Sequence, residues 1–240
     1  MRQSVPAFHD HFIHHRITIH TKRNDVTILF DLDGTLIDST EAILESFHNS
    51  FDVYDYPHPD DEAIKVLIGH PLDVMYAALG VEESRVWDFV ATYKEHYRVI
   101  STQKTVLLPF AREAVEAAAK IARLGIVTTK TGAYSRVLME YFELMGYFEV
   151  LIGREDVEHP KPHAEPIDKA VEKMGVSKRD CWIIGDTRLD LGSAKNAGIG
   201  SIGVLSGYDN AEQLKTLTDI IEADALQAVR HLVKQVEKSR

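Results

Sequence analysis

Val26-Thr27-Ile28-Leu29-Phe30-Asp31-Leu32-Asp33-Gly34-Thr35-Leu36-Ile37-Asp38-Ser39 is the stretch whose reading decides the fold. Ile28, Leu29 and Phe30, preceded by Val26, read as a short buried strand. The strand runs directly into two carboxylates, Asp31 and Asp33. Gly34 permits a sharp turn, Thr35 supplies a hydroxyl, and Asp38-Ser39-Thr40 reads as a helix start. Two acids at the end of a buried strand repel one another, and each resists ionisation. Such an arrangement suits a cation or a chemistry that handles anions. Taken alone, Asp-x-Asp is equally a strand that ends in an acidic turn, so the rest of the chain must decide.

Outward from this stretch, the chain divides in two. From Thr40 the apolar spacing turns helical through Ile43, Leu44, Phe47 and Phe51, and Pro57 and Pro59 break it. A second helix starts after Asp60 and stops at Gly69-His70-Pro71. A third runs from Leu72 to Leu79 and is closed by Gly80, and Val86, Phe89, Val90, Tyr93 and Tyr97 define a fourth. No strand interrupts residues 41–104, which read as a helical bundle inserted after the first strand. Beyond Val106 strand and helix alternate, with strands at Ile126-Val127, Val150-Leu151-Ile152, Cys181-Trp182-Ile183-Ile184 and Ser201-Ile202-Gly203-Val204, and a last short one at Ile220-Ile221. Alternation of this kind predicts an α/β fold, a doubly wound parallel sheet covered by helices on both faces. The expected division is an N-terminal extension over 1–24, a core over 25–40 and 105–240, and the helical insert over 41–104.

Composition narrows the functions. The 240 residues are 45% hydrophobic and carry a net charge of −10, from 37 acidic and 27 basic residues. An acidic chain is a poor general binder of nucleic acid. A phosphate substrate would have to be attracted by a local cation and local basic side chains. Cys181 is the single cysteine, which points to a reducing compartment. Neither a run of 18 apolar residues nor a signal-peptide core is seen, so the expectation is a cytoplasmic protein with no membrane partner. His9, His11, His14, His15 and His20 lie in a leader without periodicity and lack the regular companions of a zinc site.

In parallel sheets ligands gather beyond the carboxyl ends of the strands. Asp31 and Asp33 follow Phe30, Thr128 follows Val127, and Asp186 follows Ile184-Gly185. Lys161 lies in the loop after Leu151-Ile152. Four strands thus deliver polar groups to one edge. Asp186 and Asp190 alone would read as a helix N-cap with a first-turn acid.

Asp31-Leu32-Asp33-Gly34-Thr35 after an apolar strand, then Thr128, Lys161 and Gly185-Asp186-x-x-x-Asp190, resembles the four motifs of the haloacid dehalogenase-like (HAD) superfamily, in the family's order. The resemblance spans Val26 to about Ala225, and phosphoglycolate phosphatase-like members are the most similar group. It implies a phosphatase whose helical insert is a cap over the site and whose substrate is a small phosphorylated metabolite. By resemblance Asp31 is the nucleophile that becomes an aspartyl phosphate, and Asp33 is the general acid and then the base. Thr128, Thr129 and Lys161 would hold the phosphate. Mg²⁺ would be bound by Asp31, the backbone carbonyl of Asp33 and Asp186, with Asp190 orienting Lys161 or a metal-bound water. His70, in the Gly-His-Pro break of the cap, would touch the leaving group or be an ordinary surface histidine. Lys130 and Arg188 are either phosphate-attracting or plain surface charges, and Trp87 and Trp182 read as core.

Some positions depart from the family pattern. Thr129 stands where asparagine is common, and Ala111 where glycine is. Asp33 argues against halide chemistry, and the surroundings of Lys65 do not resemble the Schiff-base lysine of phosphonate-cleaving members. Thr35 leans towards hydrolysis. The alternatives are a β-phosphoglucomutase-like phosphomutase and a non-catalytic binding protein of the same fold.

Overall fold

Strand β1 (Thr27–Phe30) lies inside a six-stranded sheet, hydrogen-bonded to a parallel neighbour on either side. The computed structural model describes residues 26–238, so the histidines of the leader lie outside the described residues. Strands β4 (Arg123–Val127), β5 (Phe148–Ile152), β6 (Cys181–Gly185), β7 (Gly200–Val204) and β8 (Ile221–Glu222) complete the sheet, in the order β5-β4-β1-β6-β7-β8. All of its pairings are parallel. Phe30 is in register with Ile126 of β4 and Ile184 of β6, so three strands end almost level and release their next residues at one edge.

A sheet of this kind is buried on both faces, and β1 obeys the period of two. Ile28 and Phe30 pack with Ala114 and Val115 of α5 (Ala111–Ala118), Leu138 of α6 (Gly132–Tyr141) and Val229 of α10 (Ala225–Lys238). Leu29 faces the other way, towards Ile167 and Ala170 of α7 (Glu165–Met174) and Ala194 of α8 (Arg188–Ala197). Two differences from the sequence reading are local. Strand β4 begins at Arg123 rather than Ile126, and Gly125 lies inside it, where a Cβ would come within 2.8 Å of both Leu29 and Val150. Helix α10 was not anticipated; it buries Ala228, Val229 and Leu232 against the sheet.

Between β2 (Ile37–Asp38) and β3 (Val106–Leu107) run α1 (Thr40–Val53), α2 (Asp61–Lys65), α3 (Leu72–Ala78) and α4 (Val86–Ile100). The two short strands pair antiparallel and tie the entry and exit of the insert together. Asp38 therefore belongs to a strand; its carboxylate accepts the Thr40 N–H at 3.0 Å, and the helix starts two residues on, at Thr40. The insert has its own apolar interior, in which Phe47 meets Tyr76 at 4.6 Å and Phe51 meets Phe89 at 5.2 Å between ring centroids. Trp87 is not part of it. It is 64% exposed, because its place on α4 turns away from the α1–α4 contact. No helix among the described residues is long and apolar enough to cross a membrane.

Candidate active site

Asp31 leaves β1 with its N–H donated to the Ile184 carbonyl at 3.0 Å, so the backbone at the site is still part of the sheet. Its carboxylate lies 2.8 Å from the ammonium of Lys161, which is only 3% exposed. Lys161 also donates to Asp190 at 2.5 Å and to the Val127 carbonyl at 3.2 Å. Its three donors thus have three acceptors, as a buried ammonium requires. The second oxygen of Asp190 accepts the Thr187 hydroxyl at 2.6 Å and the Thr187 N–H at 3.1 Å. Both Asp190 oxygens are therefore occupied, and the side chain is immobilised at the first turn of α8.

Asp186, one residue past β6, is fully buried. It accepts the Thr35 hydroxyl at 2.9 Å and the Tyr208 N–H at 2.9 Å. Two glycines make room for it. A Cβ on Gly34 would stand 2.3 Å from a carboxylate oxygen, and one on Gly207 would stand 2.0 Å away. Gly34 also needs its φ of +86°, which closes the turn after Asp33. The Ser206 hydroxyl donates to the Gly34 carbonyl at 2.8 Å and ties the two glycine loops together.

The electrostatics of this cluster are unbalanced. Burial, reinforced by Asp190, pushes the Asp31 carboxyl up to about 7, although Lys161 pulls the other way. Burial, then Asp190 and Asp31, raise Asp186 well above the usual carboxylate range. Burial alone would lower Lys161, but Asp190 and Asp31 outweigh it and hold the lysine charged. One ammonium therefore pairs with two of the three buried carboxylates and leaves Asp186 without a cation, although oxygens from Asp31, Asp186 and Asp190 lie within 4.8 Å of one another. Such a donor set, rich in oxygen and short of positive charge, fits a hard divalent cation.

Asp33 stands apart from that cluster. Its carboxylate accepts the Ser39 hydroxyl and pairs with Lys130 at 3.0 Å. Lys130 in turn lies over the Tyr97 ring, 4.6 Å from the centroid, so an element of the insert helps to hold it. Asp33 and Lys130 both line a cavity of about 250 Å³ between core and insert. The Thr128 N–H is used by the sheet, bonding to Ile152 at 3.0 Å, and the Thr128 hydroxyl accepts the Lys130 N–H at 3.2 Å. The Thr129 hydroxyl donates to the Gly69 carbonyl at 2.7 Å, across to the insert.

His70 lines this cavity and also a second one beside Arg188 and Asp209. Burial and then the Arg188 charge keep its imidazole below the ordinary range, opposed by Asp209. Arg188 is half exposed and paired with Asp209 at 3.0 Å, so its charge is already committed. Lys65, paired with Glu62 at 2.8 Å, plays no part in either cavity.

The structure thus gathers Asp31, Lys161, Asp186 and Asp190 in one cluster and sets Asp33, Lys130 and Thr129 beside the cavity. The sequence reading places Ser39 only in a helix start and does not single out Ser206, Gly207 or Tyr208. Tyr208 gives its N–H to Asp186, and its hydroxyl lies 3.0 Å from that of Thr40, where the insert begins. The signal was present: Ser206-Gly207-Tyr208 follows the end of β7, at the same sheet edge.

Comparison with known proteins agrees with this geometry. The sequence profile described as haloacid dehalogenase-like hydrolase matches residues 28–204. A pyrophosphatase PpaX of Halalkalibacterium halodurans is 33% identical, over 84% of this chain and 98% of its own. A phosphoglycolate phosphatase of Shigella boydii is 29% identical, over 78% of this chain and 84% of its own. Among solved structures, a haloacid dehalogenase-like hydrolase from Bacteroides fragilis superposes with a TM-score of 0.81 at 27% identity, covering 85% of this chain and 99% of its own.

Proposed function

This chain belongs to the haloacid dehalogenase-like hydrolase family, and from that premise we propose that it is a magnesium-dependent phosphatase that hydrolyses a small phosphorylated metabolite through an aspartyl phosphate on Asp31. The observation that carries the reading is the buried group of three carboxylates at the strand ends, two of them paired with one lysine. Asp31, Asp186 and the backbone carbonyl of Asp33 would hold the magnesium, which when bound stabilises negative charge on the phosphoryl oxygens. Asp190, with both oxygens engaged by Lys161 and Thr187, is better suited to positioning Lys161 than to binding metal.

Phosphate monoester hydrolysis is so slow uncatalysed that enzymes accelerate it by up to about 10²¹-fold. Dividing it into two displacements on a carboxylate is one way to lower the barrier. In the first, an Asp31 oxygen bonds to phosphorus, the ester P–O bond breaks, and Asp33 gives its proton to the leaving oxygen. In the second, the Asp33 carboxylate takes a proton from water as that water attacks phosphorus, freeing Asp31 and inorganic phosphate. Lys161 and the Thr128-Thr129 turn would receive the charge on the phosphoryl oxygens. The insert then serves as a cap, and residues 25–40 with 105–240 as the catalytic core. The acidic chain makes nucleic acid an unsuitable partner, and a free Cys181 suits a cytoplasmic location.

A phosphate-release screen over many phosphorylated metabolites tests this directly. Release from at least one ester should require Mg²⁺, stop in EDTA, and be abolished by Asp31→Asn. Background release across the whole panel, or activity indifferent to EDTA, would contradict the reading.

A further inference from the structure

We propose that the cavity between core and insert takes the leaving group of a phosphate monoester whose alcohol carries a flat, apolar body, aromatic in the best case, with an anionic group beyond it that meets Lys94. The inference rests on the phosphatase reading, which places the reacting phosphoryl beside Asp31 and the ester oxygen at Asp33. Asp33 and Lys130 form one end of the cavity. Beyond them the walls are chiefly apolar, with Ile43, Leu72, Met75 and Val90 from the insert and Tyr93 among its rings. Of the other charged residues on the lining, Arg154 is bonded to the Val157 carbonyl, Glu155 accepts the Gly132 and Ala133 N–H groups, and Asp73 adds a carboxylate. Trp87 also lines the cavity although it is 64% exposed, so a large ring stands open at the mouth with no core to pack into.

Helix α4 orders these groups by distance from the chemistry. Tyr97 lies against Lys130. Lys94 is one turn back, about 4.5 Å along the axis, and Trp87 is about 15 Å back. Lys94 is half-buried, and its ammonium has no ion pair or hydrogen bond among the described residues. Lys130, nearer the phosphoryl, is already committed to Asp33.

Size and charge both argue against the shortest candidates. An apolar cavity of about 150 Å³ accommodates benzene, whereas this one measures about 250 Å³. Glycolate, the leaving group of phosphoglycolate, would fill little of it and leave most of the apolar walls uncovered. The leaving phosphate of pyrophosphate would meet the same walls with more charge to desolvate. A ring with a distal carboxylate or similar anion matches both the apolar walls and the unpaired ammonium.

The test compares benzyl phosphate, 3-carboxybenzyl phosphate, 2-phosphoglycolate and pyrophosphate with the full chain and Mg²⁺. Benzyl rather than aryl esters are used so that the leaving group is an alkoxide, as in phosphoglycolate. We expect kcat/KM for benzyl phosphate to exceed that for 2-phosphoglycolate and pyrophosphate by at least about tenfold. The 3-carboxy group should raise it a further few-fold, and Lys94→Gln should erase that increment. Trp87→Ala, at an exposed position the fold does not need, should lower the benzyl phosphate to pyrophosphate ratio about fivefold. Preference for phosphoglycolate or pyrophosphate, or a ratio unmoved by Trp87→Ala, overturns the inference and leaves the phosphatase reading intact. If none of the four is hydrolysed, the metabolite screen decides the phosphatase reading and calorimetric binding of benzylphosphonate against phosphonoacetate decides the cavity alone. Tighter binding of benzylphosphonate supports the inference; tighter binding of phosphonoacetate, or of neither, overturns it.

Discussion

At the strand ends of the core, the buried side chains are Asp31, Lys161, Asp186 and Asp190, each held by hydrogen bonds from the backbone or from one another. In the insert they are Phe47, Phe51, Tyr76, Phe89 and Tyr93, which pack ring on ring. The first region is expensive to bury and tolerates few changes, since removing one charge strands its partners. The second is held by apolar area and shape, and such interiors accept many substitutions at moderate cost. Chemistry that needs fixed charges belongs on the first, where the sheet fixes the backbone. Selection among leaving groups can be left to the second.

The comparison is broken most severely at Lys161. Replacing it by methionine leaves Asp31 and Asp190 buried without a cation. We expect turnover to fall by at least about 10³-fold and unfolding free energy by about 3–5 kcal/mol, read by phosphate release and denaturant titration. Lys161→Met with Asp190→Leu should recover much of the stability and none of the turnover. Recovery of both would mean that the lysine serves the fold alone.

Gly207→Ala acts next, and more narrowly. The added Cβ falls 2.0 Å from the Asp186 carboxylate, so that side chain must turn out of its place. The Mg²⁺ concentration for half-maximal activity should rise by about 10- to 100-fold, with the thermal midpoint changed far less than in the Lys161 variant. An unchanged magnesium requirement would separate Asp186 from the metal site.

His70→Ala, on the insert side, should give the smallest effect. His70 lines the cavity and touches none of the carboxylates. We expect kcat/KM for the best metabolite to fall by about threefold to tenfold, and for p-nitrophenyl phosphate by less. Equal losses on both would assign His70 to the core's chemistry and blur the division between the regions.

The same contrast explains what could be read from the chain beforehand. Asp31, Thr128 and Asp186 were legible because each directly follows an apolar run, and parallel strands in level register carry such residues to one edge. Lys161 was placed at that edge by its loop after Leu151-Ile152, but its role came only through the resemblance, since the loop has no periodicity. The β2–β3 pair was not legible, because two-residue strands leave no pattern and Ile37 meets Leu107 across the whole insert. Gly207 and Tyr208 escaped because their value lies in room and a backbone N–H offered to Asp186, neither of which marks residue type. The sequence reading sets Trp87 in the core. The structure turns it outward at the mouth of the cavity, where composition alone cannot tell a buried ring from an open one.

The central claim is that Asp31 carries the phosphoryl group while Asp33 moves the proton. The most direct measurement is intact-mass and peptide analysis of Asp33→Asn after reaction with an activated ester, whose leaving group needs little acid help. Phosphorylation should proceed slowly and then stall, because the base for the second displacement is gone. The account predicts one added phosphoryl group, mapped to the peptide that contains Asp31 and absent when Asp31 is also replaced by asparagine. An adduct on any other residue, or no adduct in a variant that still releases phosphate, would contradict it.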